Sequence, residues 1–64
     1  MQEYQHRVIE EKAALDEKIF RLEGALTSGR LDSVPDDEKG LLARQLLAME
    51  EYSGILDERM ARFT

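Results

Sequence analysis

The chain has 64 residues and a net charge of −5, from 14 acidic and nine basic residues, with a single histidine and no cysteine. This length allows one small domain, over residues 1–64, which buries only about 60% of its unfolded surface. Disulfides and zinc clusters, the usual supports of small folds, are excluded by the missing cysteines. We expect neither a bound metal nor a cofactor.

The charged residues are mixed along the chain, without the basic stripe that binding to DNA or RNA requires. No stretch approaches the ~20 apolar residues of a membrane span. The first five residues lack the basic and apolar regions of a signal peptide. We therefore expect no nucleic-acid partner, no membrane partner and a cytoplasmic location.

Apolar residues at heptad spacing predict a first helix over residues 3–27. Its seam consists of Val8, Leu15, Ile19, Leu22 and Leu26. Lys12 occupies a seam position where an apolar residue would be expected. The predicted turn covers residues 28–34, and Gly29 is placed to cap the helix in the left-handed conformation.

The second helix is predicted over residues 35–63, with Pro35 in its first turn, where no hydrogen bond is lost. One apolar row repeats every seven residues: Leu42, Met49, Leu56 and Phe63, joined by Tyr52. A second row consists of Leu41, Ala48 and Ile55. Together with Leu46, Leu47 and Met60, the rows make this helix apolar around more than half of its circumference, which is too wide for contact with one other helix.

The second apolar row indicates that the chain associates with itself. The predicted fold is all-α, an antiparallel two-helix hairpin that assembles into a homo-oligomeric helical bundle. The residues expected at the interface between protomers are Ile9, Phe20, Leu41, Leu47 and Ile55.

Folding the two helices antiparallel about the turn brings Lys12 opposite Tyr52 and Tyr4 close to Arg59. The open end then combines aromatic rings with cations, and the candidate ligand-binding residues are Tyr4, Arg7, Lys12, Tyr52 and Arg59. Aromatic rings stack on bases, and guanidinium and ammonium groups bind phosphates. A purely structural interpretation, which composition alone favours, has Lys12 extending along the seam to water and Tyr52 in the core.

Enzymatic activity is not expected, because no nucleophile has a base placed beside it. The chain has no cysteine, its three serines have no partner base, and His6 lies near the terminus. His6 with Glu3 and Glu10 makes only a weak metal site. Neighbouring carboxylates such as Glu50 and Glu51 point about 100° apart around a helix and do not form acid–base pairs.

A set of residues along both helices carries a family resemblance: Arg7-Val8, Glu11-Lys12, Leu15-Asp16, Lys18-Ile19, Leu22, Gln45-Leu46, Met49, Tyr52, Ile55-Leu56 and Arg59. In this pattern the chain resembles the small phage helical-hairpin proteins related to the anti-CBASS and anti-Thoeris nucleotide sponges. The similarity covers nearly the whole chain, including the Pro-Asp-Asp-Glu that starts the second helix.

This resemblance implies an oligomer, commonly a hexamer built from dimers, in the host bacterial cytoplasm. It implies a cyclic di- or trinucleotide ligand, an immune signal that is sequestered and not cleaved. In the anti-CBASS sponges a tyrosine and a lysine near the start of the hairpin line the pocket, and Tyr4 and Lys12 match them in type. The alternative is a helical protein-protein interaction module without a small-molecule ligand, which would dock through residues such as Leu47 and Ile55.

Overall fold

The computed structural model describes residues 1–63 and contains two helices, α1 at Glu3–Thr27 and α2 at Asp36–Ala61. They pack against each other as an antiparallel hairpin, which confirms the predicted all-α fold of a single chain. The molecule is a rod of 46 × 15 × 14 Å. No helix in the described part of the chain combines the length and apolar character needed to cross a membrane.

The ends of both helices follow from their local sequence. At the start of α1 the Gln2 amide donates to Gln5 Oε1 at 2.8 Å, which satisfies one donor of the first turn. After α1 the chain turns at Gly29, whose φ of 81° is the predicted left-handed conformation. Pro35 stands just before α2, with an extended ψ of 149°, and its carbonyl accepts a hydrogen bond from the Lys39 amide.

The seam between the helices contains a short apolar core. Its buried members are Val8, Leu15, Ile19 and Leu56, and the partly buried side chains packed against them are Leu46, Met49, Met60 and Phe63. All four buried residues belong to the heptad rows of the sequence. A two-helix rod offers only this one seam, so large apolar side chains such as Phe20, Leu41 and Leu47 lie on its outer surface.

At the centre of the seam, Ser53 rather than Tyr52 lies opposite Lys12. Lys12 Nζ donates to Ser53 Oγ, and Ser53 is 8% exposed, whereas Tyr52 is 42% exposed. Successive helical residues point about 100° apart, so only one of these two can enter the seam. The serine is small enough to lie between the helices, and its hydroxyl accepts a hydrogen bond from the ammonium group of Lys12.

Replacing Leu56 by alanine should lower the free energy of unfolding by about 2–5 kcal/mol, because it leaves a cavity at the most buried position of the core. Lys18 is the control, since it is exposed and lies outside the predicted interface, and Lys18→Ala should change the free energy of unfolding by less than about 0.5 kcal/mol. Urea denaturation at one protein concentration measures both. Equal losses in the two variants would contradict this placement of the core.

Candidate functional site

A pocket of about 360 Å³ opens where the start of α1 meets the end of α2, and it is lined by Tyr4, Arg59, Arg62 and Phe63. The rings of Tyr4 and Phe63 meet edge to face, with centroids 5.9 Å apart and an interplanar angle of 89°. This is a favourable geometry for an aromatic pair. The volume falls within the range of roughly 300–1,000 Å³ that is usual for small-molecule sites.

The turn that ends α2 brings its last residues to this pocket. The Arg62 amide donates to the Arg59 carbonyl at 3.1 Å, and the Phe63 amide donates to the Met60 carbonyl at 3.0 Å. Hydrogen bonds between residues three apart tighten the chain at the end of a helix. Phe63 is thereby folded back towards Tyr4, and both arginine side chains lie at the same end of the rod.

The pocket is a local positive site in an acidic chain. Arg59 and Arg62 are both exposed, and neither forms an ion pair with another of residues 1–63. The carbonyl end of a helix carries roughly −0.5 of an elementary charge, which the two guanidinium groups outweigh. Guanidinium groups bind phosphate or carboxylate in a bidentate manner, and aromatic rings stack on bases. The arrangement can therefore hold an anionic aromatic ligand such as a nucleotide.

Of the five candidate ligand-binding residues, the pocket contains Tyr4 and Arg59. Arg7 lies one turn along α1, with its Nη2 atom 3.1 Å from Glu3 Oε1 in an exposed ion pair. Tyr52 lies seven residues before Arg59 and hence on the same side of α2, two turns from the pocket. Lys12 lies deeper, in the seam.

Lys12 is held by three acceptors in what we term the Lys12 cluster, formed with Asp16, Ser53 and Asp57. Its Nζ atom lies 2.9 Å from Asp16 Oδ2 and 3.3 Å from Asp57 Oδ1, and it donates to Ser53 Oγ at 2.5 Å. The Ser53 hydroxyl in turn donates to Asp16 Oδ1 at 2.7 Å. An ammonium group has three hydrogens, so Lys12 must give up one of these partners before it can bind a phosphate.

The contacts in the Lys12 cluster shift the pKa values of Lys12 and Asp16 so that the charged forms are favoured. The hydrogen bond from Ser53, followed by that from Lys12, holds the pKa of Asp16 below its usual 3.8. The hydrogen bond to Asp16 raises the pKa of Lys12 above its usual 10.5, against the opposing effect of desolvation. The cluster is therefore a stable ion pair near neutral pH.

The residues predicted at the interface between protomers lie outside the core. Phe20, Leu41, Leu47 and Ile55 are exposed, with Phe20 at 78%, and Ile9 is partly buried. Their apolar surface is therefore uncovered within one chain.

Sequence reasoning missed several residues that the structure brings together. Arg62 follows Arg59 by three residues, a spacing that places both near one face of a helix, and Phe63 was assigned to the seam alone. In the Lys12 cluster, the four-residue step from Lys12 to Asp16 was a signal for an ion pair within α1. Within residues 1–63, no group of three or more histidines and carboxylates is arranged to hold a metal ion.

The lowered pKa of Asp16 predicts that the free energy of unfolding falls as the pH is lowered. Because the folded-state pKa lies below 3.8, the cluster contributes fully above that value, and its contribution is lost as pH falls through the folded-state pKa. Asp16→Asn should therefore lower the melting temperature at pH 7 and flatten its decline between about pH 5 and pH 2. Thermal unfolding over this series measures both effects.

The matched control for this experiment is Glu10→Gln, which removes an exposed carboxylate on α1 outside the Lys12 cluster. This variant should keep the acid-dependent decline of the unaltered protein. If Asp16→Asn also kept that decline, the ionised cluster would not contribute to stability as described.

Comparison with known proteins places the chain in a family. The Sequestin family model matches residues 2–62, which include both helices, the Lys12 cluster and three of the four pocket residues. No curated protein and no solved structure matches the chain. Since the family match covers nearly the full sequence, the chain belongs to the Sequestin family.

Proposed function

We propose that this protein binds and sequesters cyclic di- or trinucleotide immune signals without cleaving them, as a phage anti-defence protein in the host bacterial cytoplasm. The family name suggests a sequestering protein. The resemblance to anti-CBASS sponges supplies the class of ligand. The observation that carries the proposal is the pocket in which two arginines without ion-pair partners in residues 1–63 meet two aromatic rings.

In the proposed binding mode, Arg59 and Arg62 hold phosphate groups and the ring of Tyr4 or Phe63 stacks on a base. A cyclic dinucleotide offers two phosphates and two bases, and the pocket of one chain is open to solvent on its outer side. A second protomer supplies the rest of the contacts, so the functional unit is a homo-oligomer, a dimer or a hexamer. Arg7 and Lys12, which already contact carboxylates, and Tyr52, two turns away, play no direct part in this mode.

Sequestration fits the chemistry of the pocket better than turnover does. The four residues that line it within residues 1–63 include no carboxylate, histidine or thiol that could act as a base or nucleophile. Guanidinium groups stay protonated and serve as hydrogen-bond donors. Such a site lowers the free concentration of its ligand in proportion to the amount of protein present.

A second candidate function is a helical interaction module that binds another protein and no small molecule. The observation that favours it is the exposure of Phe20 and Leu47, two large apolar side chains on the outer surface of the rod. This candidate predicts that no nucleotide raises the melting temperature, whereas the sponge predicts a rise that grows with ligand concentration.

Replacing both pocket arginines, as Arg59→Ala with Arg62→Ala, should weaken cyclic dinucleotide binding at least about 100-fold, because hydrogen bonds to charged groups contribute about 1.5–3 kcal/mol each. Isothermal titration calorimetry with a panel of cyclic di- and trinucleotides measures the loss. The matched control is Arg21→Ala, which removes an exposed arginine in the last third of α1, far from the pocket, and should bind like the unaltered protein.

Two outcomes would contradict the proposal in different ways. A double variant that binds as tightly as the unaltered protein would show that the ligand lies elsewhere. An unaltered protein that binds no member of the panel would favour the interaction module.

A further inference from the structure

One side of α2 carries an apolar stripe that α1 does not cover. The stripe runs through Leu41, Ala48 and Ile55, and all three residues are exposed. Residues seven apart lie within about 20° of one another around a helix, so these side chains form a nearly straight row. The seam of α2 is centred on other residues, including Leu56 and Ser53, which point towards α1.

The stripe is self-complementary about Ala48. Leu41 lies seven residues before Ala48 and Ile55 lies seven residues after it, so both positions at this distance from Ala48 are apolar. Arg44 lies four residues before Ala48 and Glu51 three residues after it, on the same flank of the row. Both are exposed, and neither forms an ion pair with another of residues 1–63.

We infer that a second copy of this chain packs antiparallel on this stripe, with a two-fold axis passing beside Ala48. Rotation about this axis reverses the direction of the helix, and residues on one flank of the stripe in the first copy meet residues on the same flank in the second copy. Residues before Ala48 in one copy therefore face residues after Ala48 in the other. Leu41 then meets Ile55 of the second copy, and Arg44 meets Glu51. On the other flank the same rule sets Gln45 against Tyr52, an amide against a phenol hydroxyl.

The charges select this occupant and this direction. Arg44 and Glu51 carry opposite charges at nearly equal distances from Ala48, so each can pair with the other residue of a second copy. Binding to an unrelated protein would not require this symmetry. In a parallel pair each residue lies level with its own copy, so Arg44 and Glu51 would remain about 10 Å apart along the axis. The alanine at the crossing point allows the two helices to approach closely.

The interface also reaches the pocket of the neighbouring copy. Asp37 and Arg59 lie eleven residues on either side of Ala48, about 16 Å along the helix. Asp37 of the second copy therefore lies beside Arg59 and pairs with its guanidinium group when the pocket is empty, so an anionic ligand must displace this carboxylate to bind Arg59. The interface itself does not depend on what the pocket binds.

Cysteine cross-linking tests the two-fold axis, because the chain has no cysteine and each variant carries a single thiol. Helix axes ~8–10 Å apart, with Cα atoms ~2.3 Å from each axis, leave the two Cα atoms at position 48 within disulfide range. With micromolar protein and mild oxidant, Ala48→Cys should form covalent dimer at least about tenfold faster than Ala43→Cys. Ala43 is an exposed alanine about 140° away around α2. Equal rates would overturn the inference.

A charge exchange tests the pairing of the flanks. Arg44→Glu and Glu51→Arg each place like charges together twice per dimer, and each should raise the dissociation constant of the dimer about tenfold or more. The double variant restores opposite charges and should return it close to the original value. Sedimentation equilibrium measures the constants, and circular dichroism checks that helix content is unchanged. A double variant as weak as the single ones, or a chain that stays monomeric throughout, would overturn the inference.

Discussion

A hairpin of two helices has a single internal seam, and the remaining features of this molecule depend on how little that seam can bury. Its buried core consists of Val8, Leu15, Ile19 and Leu56, with four partly buried side chains packed against them. Large side chains such as Phe20 remain on the outer surface because no third element exists within residues 1–63 to cover them. The chemistry of the protein is accordingly placed at the end of the rod and on its outer faces.

The Lys12 cluster gives the seam its polar centre. The side chains of Asp16 and Asp57 are 47% and 62% exposed, so water screens their attraction to Lys12 and the ion pairs contribute little to stability. The better-attested role of such a cluster is specificity: in coiled coils a single polar seam residue fixes the register of the helices. The contacts of Lys12 with Ser53 and Asp57 set how far α1 is shifted along α2, which is the register of the hairpin. This register in turn brings Tyr4 to Phe63, so the cluster and the pocket are connected through the rigidity of the two helices.

Periodicity and turn residues were enough to predict two helices, the left-handed Gly29 and all four buried apolar residues, because each depends on local sequence. The register of α1 against α2 could not be predicted from periodicity. The aromatic Tyr52 fits the heptad pattern better than Ser53, and only the hydrogen bonds of Lys12 decide between them. The pocket was half predicted, through Tyr4 and Arg59. Arg62 follows Arg59 by three residues, so helical spacing indicates its face, but spacing does not indicate that the chain turns after α2 and brings Phe63 onto Tyr4.

Three features support the proposed sequestration: membership of the Sequestin family, the open cationic and aromatic pocket, and the uncovered apolar stripe on which we propose that a second copy packs. Native mass spectrometry of the purified protein, alone and with a panel of cyclic di- and trinucleotides, tests this proposal most directly, because one spectrum reports assembly and ligand together. We predict an oligomer with an even number of chains that takes up a fixed number of intact cyclic nucleotides. An oligomer that takes up none of them, or one that releases linear products, would contradict the account.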